Sequence, residues 1–143
     1  MMKFSKKVEY ALIALLYISK KPAGELTTAR ELSNKFNISI ELMGKILQSL
    51  VKSGLIISVQ GVKGGYYLAI PMDQIRVTSV VAAIDGPIAL TDCIANGDIA
   101  SCERGHNCLI RKSMEHIQSK LVNLLDEITL KDFHKTHSTT VNH

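Results

Sequence analysis

Apolar residues recur at helical spacing in the first third of the chain and predict three helices. The first helix covers residues 5–20, and its apolar residues occupy two opposite faces. One of these faces is therefore expected to pack against a surface outside the helix's own domain, and a second subunit is one candidate. The second and third helices, over residues 29–36 and 40–52, are separated only by Asn37-Ile38-Ser39. Two short helices joined by so short a turn are typical of a helix-turn-helix.

A β-hairpin is predicted directly after these helices. Residues 55–60 and 66–70 have the composition of two strands, and they are joined by the tip Gly61-Val62-Lys63-Gly64-Gly65. A hairpin in this place is the wing of a winged helix-turn-helix. Its glycines allow the backbone to approach a phosphate closely, and Lys63 adds positive charge. Residues 77–84 predict one further short helix.

A heptad pattern begins near residue 109. Apolar residues separated alternately by four and three positions are Ile110, Met114, Ile117, Leu121, Leu124 and Ile128. They predict a helix over residues 109–130, about 30 Å long. A small winged-helix domain cannot cover an apolar seam of that length, so the sequence predicts a homodimer formed through this helix.

These elements together predict a mainly α fold with a small β-wing. The predicted units are a winged helix-turn-helix DNA-binding domain over residues 1–85, a cysteine-bearing sensor loop over 86–108, a dimerisation helix over 109–130 and a flexible tail over 131–143. A chain of 143 residues suits one domain with a helical extension. Its net charge of +4 and pI near 9.0 permit a nucleic-acid partner without requiring one.

The sequence predicts neither a membrane protein nor an enzyme. The apolar run Tyr10–Ile18 is shorter than the roughly 20 residues needed to span a bilayer, and no signal-peptide cleavage site follows it. A cytoplasmic location is therefore expected. There is no Walker loop, nucleophile elbow or catalytic carboxylate pair, so we expect no catalysis and no small-molecule substrate.

Exposed positions on the third helix and the wing are expected to contact double-stranded operator DNA. A helix-turn-helix that docks a protein is the alternative, but the wing and the basic residues Lys45 and Lys52 favour DNA. The candidate DNA-contacting residues are Thr28, Ser39, Glu41, Lys45, Gln48, Ser49, Lys52, Gln60, Lys63, Gly64, Gly65 and Tyr66. A dimer would read two half-sites about 34 Å apart.

All three cysteines, Cys93, Cys102 and Cys108, fall within one polar stretch of sixteen residues. In a reducing compartment, clustered thiols are more often metal-binding or redox-active than disulfide-bonded. Their spacing lacks the close CxxC pairs of a zinc ribbon. Three thiolates and one weaker ligand suit an iron–sulfur cluster, with two or four irons. A metal-free thiol redox switch, zinc and a buried apolar role stay open, and His106 is a candidate fourth ligand.

The chain resembles the Rrf2-type winged helix-turn-helix transcriptional regulators, relatives of IscR and NsrR, from about Phe4 to Phe133. The resemblance rests on KVEYALIAL at the start, LMGKILQSLVKSGLI in the third helix, VQGVKGGYYLA in the wing, and the three-cysteine loop. The phrases IDGPIALTDC, CERGHNC and EITLKDF are most similar to the branch that regulates the SUF iron–sulfur assembly operon.

This resemblance implies a homodimeric repressor or dual regulator whose DNA affinity depends on an iron–sulfur cluster held by the three cysteines. Arg111 stands where IscR-type members place a histidine ligand. NsrR-type members use an acidic residue from the first helix of the other subunit, and Glu9 occupies that place. A carboxylate binds more weakly than a thiolate, which suits a labile sensing cluster.

The interpretation from sequence is therefore a regulator that senses iron–sulfur or redox status and controls iron–sulfur cluster assembly genes. One alternative is a regulator with a metal-free cysteine thiol switch. The other, from a different class, is an iron–sulfur or metal-binding scaffold whose winged helix docks a protein partner.

Overall fold

The computed structural model describes residues 4–88 and 110–133. Its elements in chain order are α1 (Lys6–Ser19), α2 (Ala29–Phe36), α3 (Ile40–Lys52), β1 (Ile56–Val59), β2 (Gly65–Leu68), a 3-10 turn (Met72–Gln74), α4 (Val77–Asp85) and α5 (Arg111–Asp126). The predicted class, mainly helical with a small two-stranded wing, is confirmed. No helix in the described part of the chain is long and apolar enough to cross a membrane.

Local side-chain caps fix the ends of the two short helices. The Thr28 hydroxyl accepts a hydrogen bond from the Glu31 backbone N–H at 3.0 Å, and the Ser39 hydroxyl accepts one from the Leu42 N–H at 3.2 Å. Asn37 ends α2 in the left-handed conformation, with a φ of 55°. Asparagine tolerates this conformation better than most residues, so the turn between α2 and α3 is encoded by its own residues.

The core lies where α1, α3, α4 and the hairpin meet. Its largest fully buried side chains are Leu15, Leu32, Met43, Ile46, Leu47, Leu50, Ile56, Ile75 and Leu130. Burial of each such side chain stabilises the fold by about 1.5–3 kcal/mol. Because Leu130 follows α5, the C-terminal part of the chain completes the core of the N-terminal domain.

One apolar face of α1 is buried within the chain, and the other is partly covered. The helix packs against α3, α4 and β2. Tyr10 and Tyr17, on the side away from its most buried residues, are partly buried against the same core. The chain's own packing therefore covers part of the second face, and a second subunit over the rest of it stays a prediction.

The strands are shorter than the predicted runs. They pair antiparallel, with Ile56 opposite Leu68 and Val59 opposite Gly65. The second strand therefore ends at Leu68, two residues before the predicted end at Ile70, and begins one residue earlier than predicted, at Gly65.

The residues that follow α5 are bonded to the segment at the start of α4. The Val77 N–H donates to the Ile128 carbonyl at 3.0 Å, and the Leu130 N–H donates to the Ile75 carbonyl at 3.0 Å. Residues 127–129 therefore leave the helical conformation, and 128–130 are bonded to 75–77. This is why α5 ends at Asp126, four residues earlier than predicted, and spans only about 24 Å.

Part of the predicted tail is structured. Residues 131–133 form a helical turn, and Phe133 packs against the core. The remainder of the predicted tail, from residue 134, lies outside the described residues, as does the predicted cysteine-bearing loop from residue 89 to its end at 108.

Candidate nucleic-acid interface

One face of α3 is turned away from the core and carries four of the predicted DNA-contacting residues. Glu41, Lys45, Gln48 and Lys52 are all exposed. Their spacing of four, three and four places them along one side of the helix, opposite the buried Met43, Ile46, Leu47 and Leu50. We call these four exposed residues the α3 stripe. It is a continuous polar surface that a DNA groove could accept.

The two predicted contact serines, Ser39 at the cap of α3 and Ser49 within the helix, differ in the hydrogen bonds that their hydroxyls can donate. Ser39 is exposed, and although its oxygen caps the helix, its O–H group can still donate to a phosphate. Ser49 is half-buried, and its O–H donates to the Lys45 carbonyl at 3.1 Å. Ser39 is therefore the better candidate contact.

The exposed candidate residues of the wing lie at and near its tip, and those at the start of its second strand are half-buried. Gln60 and Lys63 are exposed, and Gly64, Gly65 and Tyr66 are half-buried. A methyl group on Gly64 would collide with the Val59 carbonyl oxygen, and one on Gly65 would lie 2.9 Å from the Leu26 Cβ. The hairpin backbone therefore requires glycine at position 64, and the segment before α2 requires it at position 65, whether or not a phosphate approaches them.

The base of the wing is joined to the start of α2. The Thr27 N–H donates to the Tyr66 carbonyl at 3.1 Å, and the Tyr66 N–H donates to the Thr27 carbonyl at 2.8 Å. Thr28, the exposed cap of α2, is therefore next to the wing. Arg30, exposed in the first turn of α2, follows this junction by three residues and was not among the predicted contacts. The sequence feature that could have identified Arg30 is a basic residue in the first turn of a capped helix, because phosphate often binds at a helix N-terminus.

A charged network that the sequence did not reveal joins α1 to α2. The Tyr17 hydroxyl donates to the Glu31 carboxylate, and the Lys21 Nζ lies 2.6 Å from the same group. Hydrogen bonds from Lys21 and then Tyr17 hold the pKa of Glu31 below its ordinary value, and the Thr28 backbone N–H adds to this lowering. The bond to Glu31 in turn raises the pKa of Tyr17 and of Lys21.

The predicted cluster ligands are mostly beyond the described structure. Cys93, Cys102, Cys108 and His106 all lie outside the described residues. Within residues 4–88 and 110–133, no group of three or more His, Cys, Asp or Glu side chains could hold a metal ion. Glu9 is exposed in the first turn of α1, with its carboxylate 3.3 Å from the Lys6 Nζ. An exposed pair of this kind is weak, so it leaves Glu9 able to serve another partner.

The residues that flank the cysteine-bearing segment both contact α5. On one side, the Gln118 side chain donates to the Ile88 carbonyl. On the other, Ile110 accepts a hydrogen bond from the Met114 N–H at 2.8 Å and begins the helix. Since Ile110 and Gln118 are eight residues apart, the two attachment points are separated by about 12 Å along α5.

Three of the six residues in the predicted heptad seam of α5 are left exposed by the described residues. Ile110, Ile117 and Leu124 have exposed fractions of 51%, 49% and 58%. Arg111, next to this seam, pairs with Glu115 at 3.1 Å on the helix surface. Leu125 and Ile128 pack against the core, so the described residues cover only part of the apolar surface of α5.

Comparisons with known proteins agree with this architecture. The Rrf2 family, described as iron-dependent transcriptional regulators, matches residues 4–136. An HTH-type transcriptional regulator of Haemophilus influenzae is 32% identical over 131 residues, which cover 92% of this chain and 85% of the relative. IscR of Vibrio campbellii is 30% identical over 134 residues, covering 94% and 78%. The structure of CymR, the global cysteine regulator of Bacillus subtilis, superposes with a TM-score of 0.74 at 24% identity, covering 95% and 98%.

Proposed function

Because the chain belongs to the Rrf2 family of iron-dependent transcriptional regulators, we propose that it is a homodimeric repressor whose operator affinity depends on an iron–sulfur cluster. Family membership itself makes the chain a DNA-binding transcriptional regulator and confirms the prediction that it is not an enzyme. The cluster, the dimer, the cytoplasmic location and the control of iron–sulfur assembly genes are the proposed part.

The α3 stripe is the observation that supports the proposed DNA contact surface. It lies on the second helix of the helix-turn-helix, and Lys45 and Lys52 give it positive charge. Lys63 at the wing tip adds a third exposed cation. Each phosphate that a cation neutralises steepens the fall of log affinity with log salt by about 0.9, so three such contacts predict a marked salt dependence.

The partly exposed seam of α5 supports the proposed homodimer. Three of its apolar side chains are about half exposed, and a second copy of α5 would cover them. Burying the exposed half of each side chain would contribute about 1 kcal/mol to the free energy of dimerisation. In a symmetric dimer each contribution counts twice, once for each subunit.

The chemistry of the donor set fits an iron–sulfur cluster. Cys93, Cys102 and Cys108 would supply three thiolates, the donor that iron–sulfur clusters prefer. Glu9 of the opposite subunit is the proposed fourth ligand, and His106 is the alternative. When bound, the cluster supplies a group that responds to iron supply and to oxidants.

The described structure offers a route from the cysteine segment to the recognition helix. The segment is flanked by Ile88 and Ile110, which both contact α5. Residues 128–130, directly after α5, are bonded to 75–77 at the start of α4, and α4 packs against α3. A change in the segment would therefore shift α5 and alter the spacing of two recognition helices. Couplings of this type are about 1–3 kcal/mol, which changes affinity 5- to 150-fold.

Anaerobic purification with iron and sulfide assays tests the cluster. We expect coloured protein that contains both elements, loss of both in Cys102→Ala, and retention in the neighbouring control Ser101→Ala. DNA affinity, measured on a duplex of about 30 base pairs selected from a random library by the wild type, should differ between loaded and metal-free protein. A wild type without iron and sulfide after reconstitution would contradict the cluster.

A metal-free thiol switch is the second candidate. Its support is the structural likeness to CymR, described as a global cysteine regulator, together with the three clustered cysteines. Two thiols would lose two protons and two electrons to an added peroxide and form a disulfide. Mass spectrometry of metal-free protein after peroxide treatment would detect it. The protein-docking scaffold has no support once the chain is a member of a regulator family.

A further inference from the structure

We infer that Gly44 is a close-contact point between α3 and duplex DNA, where the absent side chain lets the helix backbone lie against the groove. The inference rests on the proposed use of α3 as the recognition helix and adds a residue whose contribution is shape rather than charge. Gly44 was not among the DNA-contacting residues predicted from the sequence.

The fold does not require a glycine at this position. Gly44 is absent from the glycines with positive φ, which include Gly54 and Gly61. A Cβ built on Gly44 meets no atom within 4 Å, whereas one on Gly64 would collide with the hairpin backbone. Neither backbone conformation nor packing within the described chain therefore excludes a side chain.

The glycine also lowers the stability of the helix that contains it. It is the fifth of the thirteen residues of α3. Glycine inside a helix lowers the folding equilibrium constant about two- to fivefold relative to alanine, because it loses more backbone freedom on folding. Within residues 4–88 and 110–133, nothing accounts for a glycine at position 44, and we attribute its presence to a contact outside the chain.

The position of Gly44 indicates what that contact is. Ile40 and Gln48, four residues before and after it, are both exposed, with 46% exposure for Ile40. Residues four apart are neighbours on one helix face, so Gly44 leaves a notch between an apolar and an amide side chain. Gln48 also belongs to the α3 stripe, which places the notch at the edge of that stripe.

Duplex DNA fits this notch better than a second protein surface. Isoleucine suits the thymine methyl group or deoxyribose carbons, and glutamine can hydrogen-bond to a base edge. Lys45, next to the notch, suits the adjacent phosphates. A protein partner of apolar character would instead match the partly exposed seam of α5, on a different element.

The test compares stability with DNA affinity in Gly44→Ala and Gly44→Leu. Both residues favour helix, so we expect higher denaturation midpoints than in the wild type. Affinity for the selected duplex should fall about 5- to 100-fold in Gly44→Ala and further in Gly44→Leu, and it should fall less on random-sequence DNA. Since no charge is removed, the slope of log affinity against log salt should not change.

Two controls separate this inference from the proposed DNA surface. Ser119→Ala, at an exposed position of α5, also raises helix propensity and should leave DNA affinity unchanged. Lys45→Ala should weaken binding on every sequence and reduce the salt slope by about one. If Lys45→Ala has no effect, the proposed use of α3 fails. If Lys45→Ala weakens binding but Gly44→Ala does not, or if Gly44→Ala is less stable than the wild type, the inference about Gly44 is overturned.

Discussion

The Asp126 carboxylate, on the last residue of α5, lies 3.2 Å from the Arg76 guanidinium, immediately before α4. The Thr78 hydroxyl in the first turn of α4 donates to the other oxygen of the same carboxylate. Arg76 also pairs with Thr129 through the backbone. One side chain therefore fastens the proposed dimerisation helix to the domain that carries the α3 stripe.

Removing this carboxylate should loosen the junction. We expect Asp126→Ala to lower the free energy of unfolding by about 1–2 kcal/mol, from one hydrogen bond and one exposed ion pair. We also expect a smaller difference in DNA affinity between the loaded and metal-free forms, because α5 would no longer move the domain rigidly. Urea denaturation and DNA titrations of both forms measure the two effects.

The matched control is Glu115→Ala. It removes an ion pair of similar exposure, that with Arg111, but this pair lies within α5 and joins no second element. Glu115→Ala should lower the free energy of unfolding by at most about 0.5 kcal/mol. The difference in DNA affinity between the loaded and metal-free forms should be unchanged. Equal effects of the two substitutions would show that Asp126 does not couple the elements.

The contrast between these two pairs shows what could be predicted from sequence. Arg111 and Glu115 are four residues apart on one helix, and local caps such as Thr28 and Ser39 likewise set helix bounds that were predicted correctly. Arg76 and Asp126 are separated by fifty residues, and no local pattern marks them as partners. The early end of α5 was missed for the same reason, since it depends on pairing with 75–77.

The candidate site divides in the same way. Helical spacing alone was enough to place the α3 stripe, because a helix converts sequence separation directly into a face. Spacing could not show that the Ser49 hydroxyl bonds to the Lys45 carbonyl, or that Gly64 is required by Val59. The first depends on the rotamer of the Ser49 side chain, and the second on the position of the neighbouring strand that contains Val59.

A charge on the α5 seam should prevent dimerisation. We expect Leu124→Glu to raise the dimer dissociation constant about 100-fold or more, because two copies of an ionised carboxylate would have to be buried. DNA affinity should fall to that of a single half-site. Analytical ultracentrifugation measures the first and DNA titration the second. Asn123→Glu, exposed on the neighbouring position outside the heptad seam, should remain dimeric. A wild type that is monomeric at all concentrations would contradict the premise.

The network around Glu31 predicts a pH dependence of stability. Hydrogen bonds from Lys21 and Tyr17 hold the pKa of Glu31 below its ordinary value of 4.5. A lowered folded-state pKa contributes stability that is present above pH 4.5 and lost as pH falls through the folded-state pKa. We therefore expect Glu31→Gln to be less stable than the wild type at neutral pH, and the difference to shrink in acid. Denaturation curves across this range measure it, with Glu127→Gln as the control at an exposed position. A difference that does not vary with pH would contradict the ionic origin.

Two wing glycines should respond differently to a methyl group. In Gly64→Ala the new methyl would collide with the Val59 carbonyl oxygen, so the hairpin must open where its strands meet the tip, at a cost of about 1–3 kcal/mol or more. Gly61 has open space around it, and its φ of 115° leaves backbone strain as the only cost of Gly61→Ala. We expect Gly64→Ala to have the lower denaturation midpoint and to lose the amide protection of the β1–β2 pairs in hydrogen exchange. Gly61→Ala should keep that protection. If both variants keep it, the collision is relieved by a small shift, and Gly64 is not required by the fold of the wing.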